Sequence, residues 1–276
     1  MTDTSAVARH YTHGSLLEQL QRALAASGIS PAAVSIEDLA PVDEFHIGGR
    51  AASLDFLERL ALSAEQHVLD IGCGIGGTAR LLAAHCGCRV SGIDITPEFV
   101  ETGRVLCDWV GLGTRVELHH GSALELPFDA GVFDAAIMLH VGMNIADKRR
   151  LCREAHRVLR PGGAFGIYDV MQTGSAPIDF PVPWSGSPET SALAPPRAYL
   201  DALAQAGFSV LDIRDRRGFA LEFFTAAQRR LQAAGGAPVL GVHITMGRDA
   251  ALKIANMVQN IAAGRIAPVE IIARRD

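Results

Sequence analysis

The sequence predicts an α/β protein built on a doubly wound, mostly parallel sheet. Three observations carry this. Short apolar runs near 67–71, 90–94, 115–119, 133–138, 164–169 and 208–213 alternate with helical patterns, the first run enters a glycine-rich turn, and the second ends in an acid. Parallel neighbours need long crossovers, and helices on both faces of the sheet supply them. A last run near 268–273 brings the strands to seven.

Helices come before the first strand. Ser15 with Glu18 reads as a capping box, Leu17, Leu20 and Leu24 form an apolar stripe, and Gly28 is the stop. A second short helix begins at Ser30-Pro31. Residues 37–50 are dense in acids and glycines and read as a loop, followed by a third helix over about 51–62 carrying Leu54, Leu57 and Leu60. This divides the chain into an N-terminal helical lid, 1–62, and a core, 63–276. Two segments of the core fall outside the strand–helix plan: 171–196, rich in proline, serine and glycine and holding Trp184, and 218–264, two to three helices inserted before the last strand. Ligands of open α/β sheets bind beyond the carboxyl ends of the strands, so these segments are expected to cap a pocket there.

The 276 residues, 49% hydrophobic and 20% charged, describe a well-cored globular chain. A formal net charge of −5 argues against nucleic acid as partner, because phosphate binding calls for a basic surface. No run of eighteen uncharged apolar residues is present, so no membrane partner is expected, and the polar start around Asp3 does not read as a secretory leader. The five cysteines form no C-x-x-C pair; Cys86 and Cys88, read on one face of a strand, are better small hydrophobes than metal ligands. The reading is a cytoplasmic protein without a metal, and a homodimer is left open.

The chemistry begins at Val68-Leu69-Asp70-Ile71-Gly72-Cys73-Gly74-Ile75-Gly76-Gly77. A strand running through glycines into a helix lets the backbone approach a ligand and aims free N–H groups at it. Gly72, Gly74 and Gly77 fit G-x-G-x-x-G, while Gly72, Gly74 and Gly76 fit G-x-G-x-G. Asp70, two residues before the first glycine, would repel a pyrophosphate and suits a sulfonium or an α-ammonium. Asp94, ending the second strand before Ile95, is placed to accept from ribose hydroxyls, which nicotinamide dinucleotides and S-adenosylmethionine both carry.

Two further stretches follow in order, Gly121-Ser122-Ala123-Leu124-Glu125-Leu126-Pro127-Phe128 with the strand 133–140, and Arg157-Val158-Leu159-Arg160-Pro161-Gly162-Gly163. Together the four blocks, about 65–170, resemble the class I S-adenosylmethionine-dependent methyltransferases. The layout is most similar to the small-molecule branch, in particular the sarcosine and dimethylglycine N-methyltransferases. The resemblance implies a Rossmann-like seven-stranded sheet with an antiparallel last strand. It implies S-adenosylmethionine as cofactor, with Gly72, Gly74 and Gly76 at its methionine end beside Asp70, Asp94 and Ile95 at the ribose, and Ser122 and Ala123 at the adenine. The family often has an acid where Ser122 stands. An aromatic in the N-terminal lead-in closes over the cofactor in several such enzymes, a role Tyr11 fits.

The expected reaction is methyl transfer to a small-molecule acceptor, with an amine nitrogen first. Carbon, oxygen or sulfur acceptors and a non-catalytic binding protein are the alternatives. Leu139 and His140 leave the fourth strand where cofactor and acceptor would meet, so His140 is the candidate general base, or else a wall residue. Met143, Asn144, Tyr168, Trp184 and His46 are candidate acceptor contacts; Asp169 is read either as holding a cationic substrate or as structural. The chain lacks the N-P-P-[YF] tetrapeptide of nucleic-acid adenine methyltransferases, and only Asp147 stands near the fourth strand for a catechol-type metal cluster. Isoprenoid methylation stays open, with Arg197, Arg214, Arg216 and Arg217 as the charges that could hold a diphosphate.

Overall fold

A computed structural model describes residues 4–236, 238–247 and 249–276; Asp3 lies outside them. Helices α1 (Thr4–Tyr11), α2 (Leu16–Ala26), α3 (Ile36–Asp43) and α4 (Gly49–Leu60) precede β1 (His67–Ile71). The core runs α5 (Gly77–His85), β2 (Arg89–Asp94), α6 (Pro97–Trp109), β3 (Val116–His120), β4 (Phe133–Leu139) and α7 (Lys148–Val158). It continues through β5 (Leu159–Gln172), α8 (Pro196–Ala206) and β6 (Phe208–Asp215). Then α9 (Arg217–Ala233), α10 (His243–Met246) and α11 (Ala250–Ala262) intervene before β7 (Ile266–Arg275).

The seven strands form one sheet in the order β3-β2-β1-β4-β5-β7-β6. β7 runs antiparallel to both of its neighbours, β5 and β6, and the other described pairings are parallel. The chain winds outward from β1 on one side and from β4 on the other. The carboxyl ends of β1, β2 and β4 therefore face the crevice where such sheets bind ligands.

Each face is covered. Leu151, Ala155, Tyr199 and Leu203 of α7 and α8 bury one side, and Phe56, Leu57, Leu82 and Val100 of α4, α5 and α6 bury the other. A third cluster seats the N-terminal helices: Leu16, Leu20 and Leu24 of α2, all fully buried, pack with Leu39, Phe99, Leu106 and Ile244. Burial of this kind stabilises by about 1.5–3 kcal/mol per leucine side chain. A fourth cluster joins Met143, Val182, Trp184, Ala220, Met257 and Ile261, so both cap segments share one small core with the loop after β4.

Some local readings change. Residues 36–43 are helix, not loop: Ser35 and Asp38 form a reciprocal capping box, and the acids of the first turn suit the positive helix start. Ser15 makes no cap bond; the Leu16 N–H is taken instead by Glu98 on α6, at 2.9 Å. Cys86 follows α5 and Cys88 precedes β2, so they do not share a strand. All five cysteines are free. Among the described residues no helix is long and apolar enough to cross a membrane.

Candidate active site

A cavity of about 790 Å³ lies over the carboxyl ends of β1, β2 and β4. That is toward the upper end of the roughly 300–1,000 Å³ of ordinary ligand pockets. Its floor is the turn after β1. Gly72 and Gly74 both have positive φ, +75° and +55°. The N–H groups of Gly72 and Cys73 donate to the Ile93 carbonyl on β2, which ties the turn to the next strand. A Cβ on Gly72 would stand 2.2 Å from the Val141 side chain, so only glycine lets β1 and the loop after β4 meet.

Gly76 does not line the cavity. Its φ of +79° starts α5, and a Cβ there would press on Leu118. Gly77 is close-packed for another reason: the Asp43 backbone at the end of α3 lies against it. Beside that contact Arg80, fully buried, donates to Asp43 and locks α3 onto α5. Both later glycines of the turn are therefore structural.

Asp94 is held by two backbone donors, Gly74 N–H to Oδ2 at 2.9 Å and Thr96 N–H to Oδ1 at 2.8 Å. Asp70 is nearly fully buried, and its Oδ2 has no hydrogen-bond partner. Burial, with the Asp94 carboxylate adding repulsion, pushes its carboxyl up to about 7. An acid of this kind on a cavity wall suits a positively charged ligand. Ile95, Ser122, Ala123 and Leu139 complete this side; the Ser122 hydroxyl accepts from the Leu124 N–H and is not free.

His140 lines the cavity in a left-handed backbone conformation, φ +54°, uncommon for a residue other than glycine. Its N–H donates to the Tyr168 carbonyl at 2.7 Å, and ring Nδ1 lies 3.2 Å from the same oxygen. A carbonyl only accepts, so Nδ1 carries the hydrogen, and Nε2 accepts the Ile47 N–H at 3.3 Å. Burial, helped by nearby His46, pushes the imidazole down to about 3. The ring is neutral with both nitrogens engaged, an arrangement of a wall and not of a general base.

Tyr168 is not an acceptor contact either. It is fully buried between Phe56 and His140, outside the cavity, and its hydroxyl donates to the Ile47 carbonyl at 2.9 Å. Asp169 is likewise internal, accepting from the Tyr199 hydroxyl at 2.6 Å. His46, Met143, Asn144 and Trp184 do line the cavity. His46 Nε2 faces the Ser53 hydroxyl at 2.8 Å, and burial pushes it down to about 4.

The lid side is built from the N-terminal segment. Tyr11 lines the cavity, packs edge-on against Phe45, and accepts from Asn144 Nδ2 at 3.3 Å. His10 and His13 face the carbonyls of Pro183 and Thr245 at 3.0 and 2.8 Å, fastening the segment to both caps. Wall residues that the sequence did not single out include Glu44, Ile47, Phe99, Phe223, Phe224 and Met257. The adjacent phenylalanines on α9 are the one local signal that could have marked the insert as a wall.

Strand order, the glycine turn and two acids at strand ends now stand together, and residues 69–167 match a family model described as a methyltransferase domain. The chain carries a methyltransferase domain over residues 69–167. Around this domain it is 31% identical over 154 residues to a sarcosine/dimethylglycine N-methyltransferase of Halorhodospira halochloris, covering 56% of this chain and 55% of that protein. A sterol 4-C-methyltransferase of Caenorhabditis elegans is 35% identical over 116 residues, 42% of this chain and 34% of its own. The match thus spans about half or less of these relatives' lengths. The solved geranyl diphosphate C-methyltransferase of Streptomyces coelicolor superposes with a TM-score of 0.67 over 99% of this chain and 98% of its own, at 18% identity, a likeness of fold. The methyltransferase domain is therefore common ground among proteins named for nitrogen and for carbon acceptors.

Proposed function

We propose that the protein transfers a methyl group from S-adenosylmethionine to a small-molecule acceptor held in the same cavity. The observation that carries this is the unpartnered, buried Oδ2 of Asp70 on the wall that also holds the Gly72–Gly74 turn and the pinned carboxylate of Asp94. A lone buried carboxylate is costly unless a cation joins it. The residues fit the cofactor: Asp70 with Gly72 and Gly74 would hold its methionine end, Asp94 beside Ile95 its ribose, and Ser122 with Ala123 its adenine. When bound, it supplies an electrophilic methyl carbon on a cationic sulfur.

What the chain adds is alignment and dryness. Leu139 and His140 separate the donor side from the acceptor side, and His140, with its ring fully bonded, serves as a fixed wall. Tyr11 and the helices of 4–62 close one side, and the described parts of the caps 171–196 and 218–264 close the other. Orienting two reactants in this way supplies roughly 7–11 kcal/mol of barrier reduction without a strong base. His46, Met143, Asn144 and Trp184 stand on the acceptor side. An amino-acid acceptor such as sarcosine would bring a carboxylate. Among the described wall residues the one lysine or arginine is Arg150, exposed and engaged with the Leu124 carbonyl. That weighs against the amino-acid reading of a nitrogen acceptor.

The test is turnover with methyl-labelled cofactor and a fractionated metabolite extract. Label appearing in a small organic product is the expected result. Tight binding of S-adenosylhomocysteine with no labelled product from any fraction would favour a non-catalytic binding protein.

A further inference from the structure

The acceptor side of the cavity has a distinct chemistry. Met143, Trp184, Phe223, Phe224, Met246 and Met257 line it. Methionines and aromatic rings accept bulky apolar shapes, and the thioether chains adjust to them. Charge is scarce there. Asp43 is spent on Arg80, and Glu44 accepts from Ser53 and faces Arg50.

Cations that could hold an anionic group are elsewhere. Arg216 pairs with Asp55 and Glu270 and lies over the Phe219 ring. Arg214 faces Asp55 and Asp212, Arg217 donates to Thr173, and Arg197 pairs with Asp201. None of the four lines the cavity. A phosphate or carboxylate on the acceptor would enter a wall holding acids and neutral histidines, whose one described cation, Arg150, is exposed and already faces Glu125 and the Leu124 carbonyl.

Several wall atoms lack a hydrogen-bond partner, among them Asp43 Oδ2, Glu44 Oε1 and Asn144 Oδ1, and of these only Asn144 is a neutral side chain, on the loop of Met143. Asn144 is 7% exposed, its Nδ2 donates to Tyr11, and its Oδ1 has no partner. A buried amide oxygen lacking a donor is an unmet hydrogen bond, and a ligand that supplies the donor gains what the free site lacks.

We infer that the acceptor is an uncharged, largely apolar molecule carrying a hydroxyl or N–H that donates to Asn144 Oδ1. This rests on the methyl-transfer reading above. Asn144 is a specificity residue in this account: it selects a donor group at one end of an apolar body and fixes its position against Leu139. A site built to receive such a bond discriminates strongly against an analogue without the donor.

The experiment uses the full chain saturated with S-adenosylhomocysteine, with saturation verified by calorimetry. Nile red, a neutral apolar dye, reports occupancy, and geraniol, its methyl ether, geranyl diphosphate and sarcosine compete for the site. The expected order is geraniol first, tighter than the ether and than the diphosphate by about tenfold or more, with sarcosine not competing. Asn144→Leu, with Nile red binding retained as evidence of an intact pocket, should bring alcohol and ether to within about threefold of each other. Tighter binding of the diphosphate or of sarcosine overturns the inference, as does equal binding of alcohol and ether to the unaltered protein. If S-adenosylhomocysteine binds and no apolar probe enters, the acceptor class alone is wrong. If it does not bind at all, the methyl-transfer reading falls first.

Discussion

Asp94 Oδ2 accepts the Gly74 N–H at 2.9 Å, so the acid ending β2 and the glycine turn ending β1 form one rigid piece. The second carboxylate oxygen is fixed by the Thr96 N–H. Both oxygens keep lone pairs for the ribose hydroxyls that the proposed function assigns to them. Asp94→Ala removes those acceptors and strands two backbone donors. The expected loss is about 10- to 100-fold in affinity for S-adenosylhomocysteine and about 1–3 kcal/mol in stability. Calorimetry and urea unfolding read the two effects separately, and unchanged affinity would remove the ribose assignment.

Asp70 makes binding depend on pH. Its carboxyl is pushed up to about 7 by burial, so the free protein holds it protonated below neutrality. A cationic ligand prefers the ionised form, and affinity therefore falls as pH drops through that value. Between pH 8 and pH 6 the loss should be about tenfold for S-adenosylhomocysteine, whose α-ammonium is the cation. Binding near pH 7 should release a proton, seen as a dependence of the calorimetric heat on the ionisation enthalpy of the buffer. Asp70→Asn should flatten the profile; a slope that survives in this variant assigns the titration to another group.

The sheet and the part of the cavity built from the glycine turn and the two strand-end acids were legible because they rest on local signals. Apolar runs of strand length, glycines at turns and acids at strand ends each report a backbone requirement. The turn around Gly76 was legible only in outline: Gly74 opens toward the cavity and Gly76 starts a helix, yet both need positive φ and look alike in sequence. Helix α3 was missed because acids and glycines suggested a loop, whereas Ser35 and Asp38 cap it and Asp43 pairs with Arg80, far away in sequence. Tyr168 misled because a residue at the carboxyl end of a strand can face either way; packing against Phe56 of α4 turned it from the cavity. The cavity wall drawn from α9 and α11 left little trace, since its residues meet only in the folded structure.

Lys148 ties down the loop after β4. Only 6% exposed, its Nζ donates to the carbonyls of Gly142, Ile145 and Ala192, joining the loop of Met143 and Asn144 to the cap segment. Lys148→Met keeps the length and apolar stem but strands the Ile145 and Ala192 carbonyls, while Gly142 keeps the Ile145 N–H. We expect a stability loss of about 2–4 kcal/mol by urea unfolding. Proteolysis should become faster around 185–195, where Ala192 loses one of its two links to that loop and keeps its N–H bond to Met143; protection equal to the unaltered protein would show that this remaining bond holds the cap.

His140→Asn separates a wall from a base. Asparagine tolerates the left-handed conformation and retains a side-chain donor for the Tyr168 carbonyl but leaves the Ile47 N–H unpaired, so at pH 7.5 the stability loss should be about 1–3 kcal/mol. The sign of the pH effect follows from the imidazole. Its folded value is pushed down to about 3, below the unfolded value of about 6.5, so its contribution is full above 6.5 and is lost as pH falls. Asp70 and Asp169, raised to about 7 and about 6, act in the opposite sense. The informative quantity is therefore the difference between the two proteins. From pH 6.5 to 4.5 the variant should gain on the unaltered chain by up to about 1.4 kcal/mol per pH unit. Turnover supplies the second readout: a wall residue leaves kcat within about tenfold, whereas loss of a general base lowers it by roughly 10²–10⁴. A collapse of that size in a folded variant would return His140 to the role of base.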